Sequence, residues 1–224
     1  LTIIEIILGI DNIIFISIVT NKVKREERQK ARVIGLLLAL ILRVIMLFGL
    51  TWFIGLTKPI FFNFSIKDLI LLIGGGFLII KSALEISHKI NVNFDDKITN
   101  NKAISFKSVI WQIVAVDFVF SVDSILTAIG LTDVLLLMVI AVIASILFMI
   151  FYSSKISDII DRYPSLEILA LSFLILIGFT LILEAAHYEV PKGFIYFALF
   201  FTLGVELLNI KFRRVSLKRI KIKK

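Results

Sequence analysis

The sequence predicts an all-α polytopic membrane protein with seven transmembrane helices, built as a three-plus-three inverted repeat with one helix added. Of its 224 residues, 59% are hydrophobic, whereas a soluble domain usually contains about 45–50%. The apolar residues form long blocks, and a helix needs about 20 such residues to cross a hydrocarbon layer of about 30 Å. All three prolines, Pro59, Pro164 and Pro191, fall between the blocks, where their missing N–H interrupts no helix.

Seven apolar blocks are long enough to cross a membrane. Acids inside the first block and the lack of a basic lead-in argue against a cleavable signal peptide. Because the sequence begins with Leu1 and not with Met, we expect the N-terminus to be missing. There is no cysteine, which excludes disulfides and thiolate metal sites. The seven blocks cover about residues 1–19, 34–56, 68–86, 108–130, 134–152, 166–186 and 194–211.

The lysines and arginines between the blocks are unequally divided. The connections after the first, third and fifth blocks and the C-terminal tail contain 20 of them, whereas the opposite side has only Lys58, Lys67 and Lys192. The positive-inside rule then predicts a cytoplasmic C-terminus and an external N-terminus. We therefore assign the net charge of +8 to orientation and to contact of the basic tail with anionic lipid headgroups, and not to nucleic-acid binding.

Two acidic stretches indicate an internal repeat. Residues 5–12 read EIILGIDN and residues 117–124 read DFVFSVDS, and one offset of 112 residues brings their four acids into register. Glycine-bearing stretches also recur, at Gly74–Phe77 and Gly178–Phe179. A unit of three helices that is used twice must insert the second time in the opposite orientation, as in many secondary transporters.

The chain is therefore expected to have four parts. A first repeat is followed by a cytoplasmic loop, a second repeat, and a seventh helix that ends in the basic tail. These parts span residues 1–86, 87–107, 108–186 and 187–224.

Leaving aside residues at or next to the end of a span, eight acidic or basic residues fall inside the predicted spans, where a charge is costly and usually faces the protein interior or a wet cavity. Arg43 and Lys81 are expected to hold acids in buried ion pairs, with Glu184 in a supporting role. Several acids then have no basic partner within the spans, and those near mid-span favour a functional interpretation. The eight are Glu5, Asp11, Arg43, Lys81, Asp117, Asp123, Glu184 and Glu206.

The oxygen-rich stretches predict a site for a hard divalent cation. Carboxylate, amide and hydroxyl oxygens suit Mg²⁺, Ca²⁺ or Mn²⁺ better than copper or zinc. Asp117, Ser121 and Ser124 share one helix face, and Gly9 would permit a local break in the first helix or close helix packing. The same carboxylates are also suited to relaying protons. The predicted ligand set is Glu5, Asp11, Asn12, Asp117, Asp123 and Ser124.

Catalysis is not expected. The sequence has no HExxH pattern and no phosphate-binding glycine loop, and its two histidines, His88 and His187, lie away from mid-span. An intramembrane aspartyl hydrolase would need two facing acids, which only Asp11 and Asp123 offer. No permanently bound cofactor is expected.

Several passages resemble the TerC family of integral membrane proteins, and most closely its short bacterial members. The passages are EIILGIDNIIFISI (5–18), LILRVIMLF (40–48), DLILLIGGGFLIIKSALEI (68–86), DFVFSVDSILTAIGLTD (117–133), ALSFLILIGFTLILE (170–184) and VPKGFIYFALFFTLGVELLN (190–209). The resemblance implies a seven-helix inverted repeat related to the LysE superfamily of exporters. It also implies a link to manganese efflux, metal homeostasis and tellurium resistance. The acidic motifs of the family match Glu5, Asp11, Asn12, Asp117, Asp123 and Ser124.

We therefore expect a secondary transporter that exports a divalent cation, with Mn²⁺ as the first candidate. Proton exchange is the candidate driving force. One alternative is an exporter of a small organic cation or an amino acid, for which Phe118 and Phe120 would supply an aromatic pocket. Another is a membrane scaffold that transports nothing. The sequence does not predict the oligomeric state.

Overall fold

The computed structural model describes residues 1–49, 59–61, 64–92, 105–132, 134–188 and 190–222. Within these ranges, eight helices and one short hairpin follow one another along the chain. The helices are α1 (Thr2–Leu8), α2 (Ile10–Thr20), α3 (Arg25–Phe48), α4 (Ile66–Val92), α5 (Phe106–Leu131), α6 (Leu135–Arg162), α7 (Pro164–Ala185) and α8 (Lys192–Ile222). The hairpin pairs β1 (Pro59–Phe61) with β2 (Phe64–Ser65) in antiparallel fashion.

Six of the described helices, α3 to α8, are long and apolar enough to cross a membrane. Each overlaps one of the predicted spans, and most of them run beyond it. Residues 50–56, the end of the second predicted span, lie outside the described part. The third predicted span continues to Val92, so the helix takes in the first residues of the predicted cytoplasmic loop. Residues 93–104 of that loop also lie outside the described part, and its last residues, from Phe106, begin α5. The chain is thus a multi-pass helical membrane protein.

The first predicted span differs from the other six because it is divided at Gly9. It forms α1 and α2, and neither is long enough to cross a membrane alone. Hydrogen bonds still bridge the division, from the Gly9 amide to the Glu5 carbonyl (2.9 Å) and from the Ile13 amide to the Gly9 carbonyl (3.0 Å). A Cβ on Gly9 would stand 2.9 Å from Met149 Sδ of α6. Gly9 keeps right-handed helical dihedral angles (φ −87°, ψ −8°), so the chain is only slightly distorted there, and its missing side chain permits close packing against α6.

The backbones of α4 and α7 approach each other closely at a pair of glycines. A Cβ on Gly75 would lie 2.6 Å from the Gly178 carbonyl oxygen, and a Cβ on Gly178 would lie 2.7 Å from the Gly75 carbonyl oxygen. Only glycine fits at such a contact. Around this pair, α3 packs on α5 and α6, and α1 and α2 pack on α6, whereas α8 packs mainly on α7.

Ion pairs between helices gather at the end of the bundle where α3 begins. Lys22, just after α2, pairs with Glu85 of α4. Arg28 of α3 pairs with Asp161 of α6 at 3.0 Å. Lys89 of α4 pairs with Glu167 of α7. These pairs are only partly shielded from their surroundings, so each contributes little to stability alone. We call this the basic end, because it coincides with the lysine- and arginine-rich side of the sequence.

Candidate functional site

A buried arginine stands at the centre of the polar interior. Arg43 lies on the inner face of α3, four residues after Ala39 and three before Met46, both of which are also buried. Only 2% of its surface is exposed. Its Nε and Nη2 donate to the two carboxylate oxygens of Asp117 in α5, at 3.0 and 2.8 Å. This two-pronged contact is the strongest and most directional that an arginine makes with a carboxylate.

A second carboxylate contacts the same arginine. Nη1 of Arg43 donates to Glu5 Oε2 of α1 at 3.3 Å, and Glu5 is only 3% exposed. Two buried carboxylates therefore share one guanidinium, so this group of three retains a net negative charge. Removing the arginine would leave both acids without a counter-charge in a dry interior, which is costly.

Neutral polar groups complete the shell of Asp117. Asn12 Nδ2 of α2 donates to Asp117 Oδ1 at 3.1 Å, and Ser121 Oγ donates to Oδ2 at 3.2 Å from one turn further along α5. The other end of the Asn12 amide is different. Its Oδ1 is fully buried, yet it accepts no hydrogen bond from the described part of the chain. A buried, unpaired carbonyl oxygen beside two carboxylates is an available ligand for a cation.

We call Glu5, Asn12, Arg43, Asp117 and Ser121 the central cluster. Glu5 and Asn12 are seven residues apart and so lie on one side of the first predicted span, where Glu5 meets Arg43 of α3 and Asn12 meets Asp117 of α5. Side chains from α1, α2, α3 and α5 thus converge at one point.

A second polar group lies further along α5. Asp123 is six residues after Asp117, which amounts to about 9 Å of helix and about 120° of rotation. Its carboxyl group lies near that of Glu184 in α7. Lys67 Nζ at the start of α4 donates to Glu184 Oε1 at 2.8 Å. We call Asp123, Glu184 and Lys67 the outer cluster.

The remaining predicted residues are placed as follows. Ser124 is buried and donates to the Ser121 carbonyl of its own helix at 3.3 Å. Lys81 lies beside Lys22 and Glu85 in a small cleft between α2, α4 and α7, and it makes no ion pair with a described residue. Asp11 belongs to α2, but its side chain is outside the described part.

The structure therefore divides the predicted ligand set. The central cluster contains Glu5, Asn12 and Asp117, whereas Asp123 belongs to the outer cluster. No group of three or more acidic or histidine side chains converges within the described ranges. Phe118 and Phe120, considered above for an aromatic pocket, are partly buried and pack against the hydrophobic core.

Two members of these clusters were not in the predicted ligand set. Lys67 counts in the sequence only as a basic residue in a connection, and nothing local indicates that it reaches Glu184. The spacing of Ser121 did predict that it shares a helix face with Asp117. Arg43 was expected to hold an acid, but its contact with two acids depends on how α1, α3 and α5 pack.

Comparisons with known proteins give a consistent assignment. The chain matches the family described as "Integral membrane protein TerC family" over residues 1–221. It is 45% identical to a UPF0053 protein of Haemophilus influenzae, over 94% of this chain and 91% of that protein. It is 46% identical to the UPF0053 inner membrane protein YgdQ of Escherichia coli K12, over 94% and 90%.

A longer relative shares the same region. The UPF0053 protein YegH of Escherichia coli K12 is 40% identical over 93% of this chain, which corresponds to 40% of its own length. No solved structure matches the chain. The family match extends over nearly all 224 residues, and the similar proteins align along almost the whole chain. The chain belongs to the TerC family of integral membrane proteins.

Proposed function

We propose that this protein is a secondary transporter that exports a divalent cation, most plausibly Mn²⁺, across the bacterial inner membrane. The observation that carries the proposal is the central cluster. It places two carboxylates, a hydroxyl and the unpaired Asn12 Oδ1 together inside a lipid-spanning bundle. Polar groups at such a position are expensive and typically functional, and their oxygens suit Mn²⁺ or another hard cation.

Arg43 gives the proposal a mechanism. The guanidinium is the shared counter-charge of Glu5 and Asp117 when no metal ion is bound, so it acts as a built-in substitute for the cargo. An arriving divalent cation would take over these carboxylates and displace the guanidinium from them. Binding is then an exchange of one cation for another, and the carboxylates are never left without a counter-charge.

The outer cluster supplies a route for protons in the same proposal. The carboxyl groups of Asp123 and Glu184 lie near each other, and Lys67 donates to Glu184. Carboxyl groups inside a membrane commonly relay protons. Export driven by the proton gradient would require these acids to take up a proton from outside after the cation has left and to release it to the cytoplasm when the protein faces inward.

The packing supports the inverted repeat that alternating access would use. The contact between Gly75 and Gly178 is reciprocal, since each residue's Cβ position faces the other's carbonyl oxygen. Reciprocal contacts are what a two-fold axis produces. Similarly, α1 and α2 pack on α6 as α5 packs on α3. We infer that the two groups of three helices rock about this axis, with the basic end in the cytoplasm.

A flux assay in liposomes tests the proposal. Purified protein is reconstituted around a dye that Mn²⁺ quenches, and uptake is followed with a proton gradient of either sign. We expect Mn²⁺ flux that Asp123→Asn lowers at least tenfold. The matched control is Asp158→Asn, which removes the same charge from an exposed position of α6 and should leave the flux unchanged.

The same preparation separates the alternatives. Flux of radiolabelled lysine or of a small organic amine, without flux of Mn²⁺, would show that the transported solute is an organic cation and not a metal ion. Absence of flux for every solute in both gradient directions, from protein that remains folded, would favour a scaffold. Equal loss of flux in Asp123→Asn and Asp158→Asn would contradict the assigned role of Asp123.

A further inference from the structure

Two rows of residues face each other where α2 packs against α6. Residues at intervals of four along a helix form a ridge, and ridges of this kind pack side by side. At one end of the rows, a Cβ on Gly9 would stand 2.9 Å from Met149 Sδ. At the other end, Ser157 Oγ donates to Asn21 Oδ1 at 3.1 Å. We call the two rows the α2–α6 seam, and they contain Gly9, Ser17 and Asn21 opposite Met149, Ser153 and Ser157.

Hydroxyl groups are buried between these two contacts. Ser153 is 1% exposed and donates to the Ile150 carbonyl of its own helix at 3.2 Å, which leaves its oxygen lone pairs open to a ligand. Ser17 is 0% exposed, and its hydroxyl has no hydrogen-bond partner within the part of the chain that the structure describes. Because Ser17 shares the ridge of Gly9 and Asn21, it points into the seam. A buried hydroxyl without a partner is costly and indicates a place for a water molecule or an ion.

The inner end of the seam lies next to the central cluster. Asn12 of that cluster is five residues before Ser17, which amounts to about 8 Å along the helix axis. Its buried Oδ1 likewise has no partner among the described residues. From Asn12 to Asn21 the distance along the axis is about 14 Å. The seam therefore leads from the central cluster to the basic end, and buried oxygens lie along it.

The outlet of the seam at the basic end repeats the chemistry of the central cluster. Asp161 of α6 accepts from Arg28 Nη1 at 3.0 Å and from the side-chain amide of Asn21, and Ser157 donates to that same amide. In the central cluster, Asp117 likewise accepts from an arginine, an asparagine and a serine. The two acids differ in exposure, because the Asp161 side chain is 40% exposed and that of Asp117 only 3%. We call Asn21, Arg28, Ser157 and Asp161 the Asp161 group.

We propose that the α2–α6 seam is the path by which the transported cation passes from the cytoplasm to the central cluster, and that the Asp161 group is its first binding site. This inference rests on the transport function proposed above. Arg28 occupies Asp161 until a cation arrives, as Arg43 occupies Asp117 further in. In this structure the hydrogen bonds of Asn21 and Arg28 to Asp161 close the entrance, so entry requires α2 and α6 to separate there.

The chemistry of the seam suits passage of a hard cation. Carboxylate, amide and hydroxyl oxygens are the ligands that such a cation prefers. The carboxylate of Asp161 supplies charge at the end that the surroundings reach, whereas Ser153 and Ser17 supply neutral oxygens further in. Neutral oxygens bind a cation weakly enough for it to move on to the next site.

Cysteine accessibility tests the path, because the chain contains no cysteine. Ser153→Cys is the reporter, and Ala170→Cys is the matched control, because Ala170 is also buried but lies in α7, outside the seam. A small cationic methanethiosulfonate is added to inside-out vesicles, and labelling of Lys30→Cys verifies that the basic end faces the medium. We expect Ser153→Cys to react at least five times faster than Ala170→Cys, and saturating Mn²⁺ to slow its reaction at least fivefold.

Asp161→Asn tests the entrance separately. Added to Ser153→Cys, it removes the carboxylate and keeps the size of the side chain. We expect half-maximal protection of Ser153→Cys to require at least five times more Mn²⁺. Asp158→Asn is the control, because it removes the same charge from an exposed position one turn away in α6 and should leave that concentration unchanged. Equal effects of the two substitutions would overturn the role of Asp161.

The remaining outcomes separate the path from the transport function. A Ser153→Cys protein that carries Mn²⁺ in liposomes but does not react with the reagent would overturn the path and leave the function intact. Equal reaction of Ser153→Cys and Ala170→Cys would also overturn the path, because the reagent would then reach buried positions in general. Reaction that lysine or a small organic amine slows, and Mn²⁺ does not, would support the path and overturn the metal as the cargo.

Discussion

Arg43 determines the character of the polar interior at the scale of single residues. Its three donor groups engage Asp117 twice and Glu5 once, and all three side chains are at most 4% exposed. The desolvation of each charge is offset by the others and by the hydrogen bonds of Asn12 and Ser121. Asn12 Oδ1 is the one buried acceptor of the central cluster that the described residues leave unsatisfied.

Replacing Arg43 alone should be strongly destabilising. Arg43→Met leaves two buried carboxylates without a counter-charge, and breaking a buried pair in this way costs about 3–5 kcal/mol. We expect a clear drop in the melting temperature in detergent, followed by tryptophan fluorescence. Adding Glu5→Gln and Asp117→Asn should restore part of the loss, because the stranded charges are then removed.

Lys30→Met is the appropriate control for that series. Lys30 is exposed near the start of α3, so its loss should change the melting temperature little. An Arg43→Met protein as stable as the unaltered one would show that the two acids do not depend on the guanidinium.

Two contacts between elements position the clusters. Gly9 permits close packing of α1 and α2 on α6, and the contact of Gly75 with Gly178 brings α4 against α7. The second contact also holds Lys67 of α4 near Glu184 of α7. The geometry of the outer cluster therefore depends on how closely these two helices approach each other.

The α4–α7 contact predicts opposite effects for neighbouring glycines. A methyl group on Gly75 would lie 2.6 Å from a backbone oxygen, so Gly75→Ala must force the helices apart. Overpacking of this kind costs about 1–3 kcal/mol. Gly76 has no atom within 4 Å of its Cβ position, so Gly76→Ala should be neutral or stabilise the helix by up to about 1 kcal/mol. Thermal unfolding of the two variants side by side measures the difference, and equal melting temperatures would contradict the close contact.

The whole molecule has two chemically different ends. The basic end has exposed Lys30 and the ion pairs of Arg28 and Lys89, whereas the opposite end carries the β-hairpin and exposed Tyr188. We predict that the basic end faces the cytoplasm. In intact cells, a membrane-impermeant maleimide should label Tyr188→Cys, and it should label Lys30→Cys only after permeabilisation. The reverse pattern would invert the topology and with it the direction of transport.

The sequence by itself determined the membrane class, the approximate positions of six spanning helices and the candidate acids inside the spans. Those features depend on the length and composition of local blocks, because a bilayer imposes the same requirement on every segment that crosses it. Only the tertiary structure decided which side chains meet. It placed Asp117 with Arg43 and Glu5, and it placed Asp123 with Glu184 and Lys67. These partners lie on different helices, and helix rotation and closeness of packing decide which of them touch.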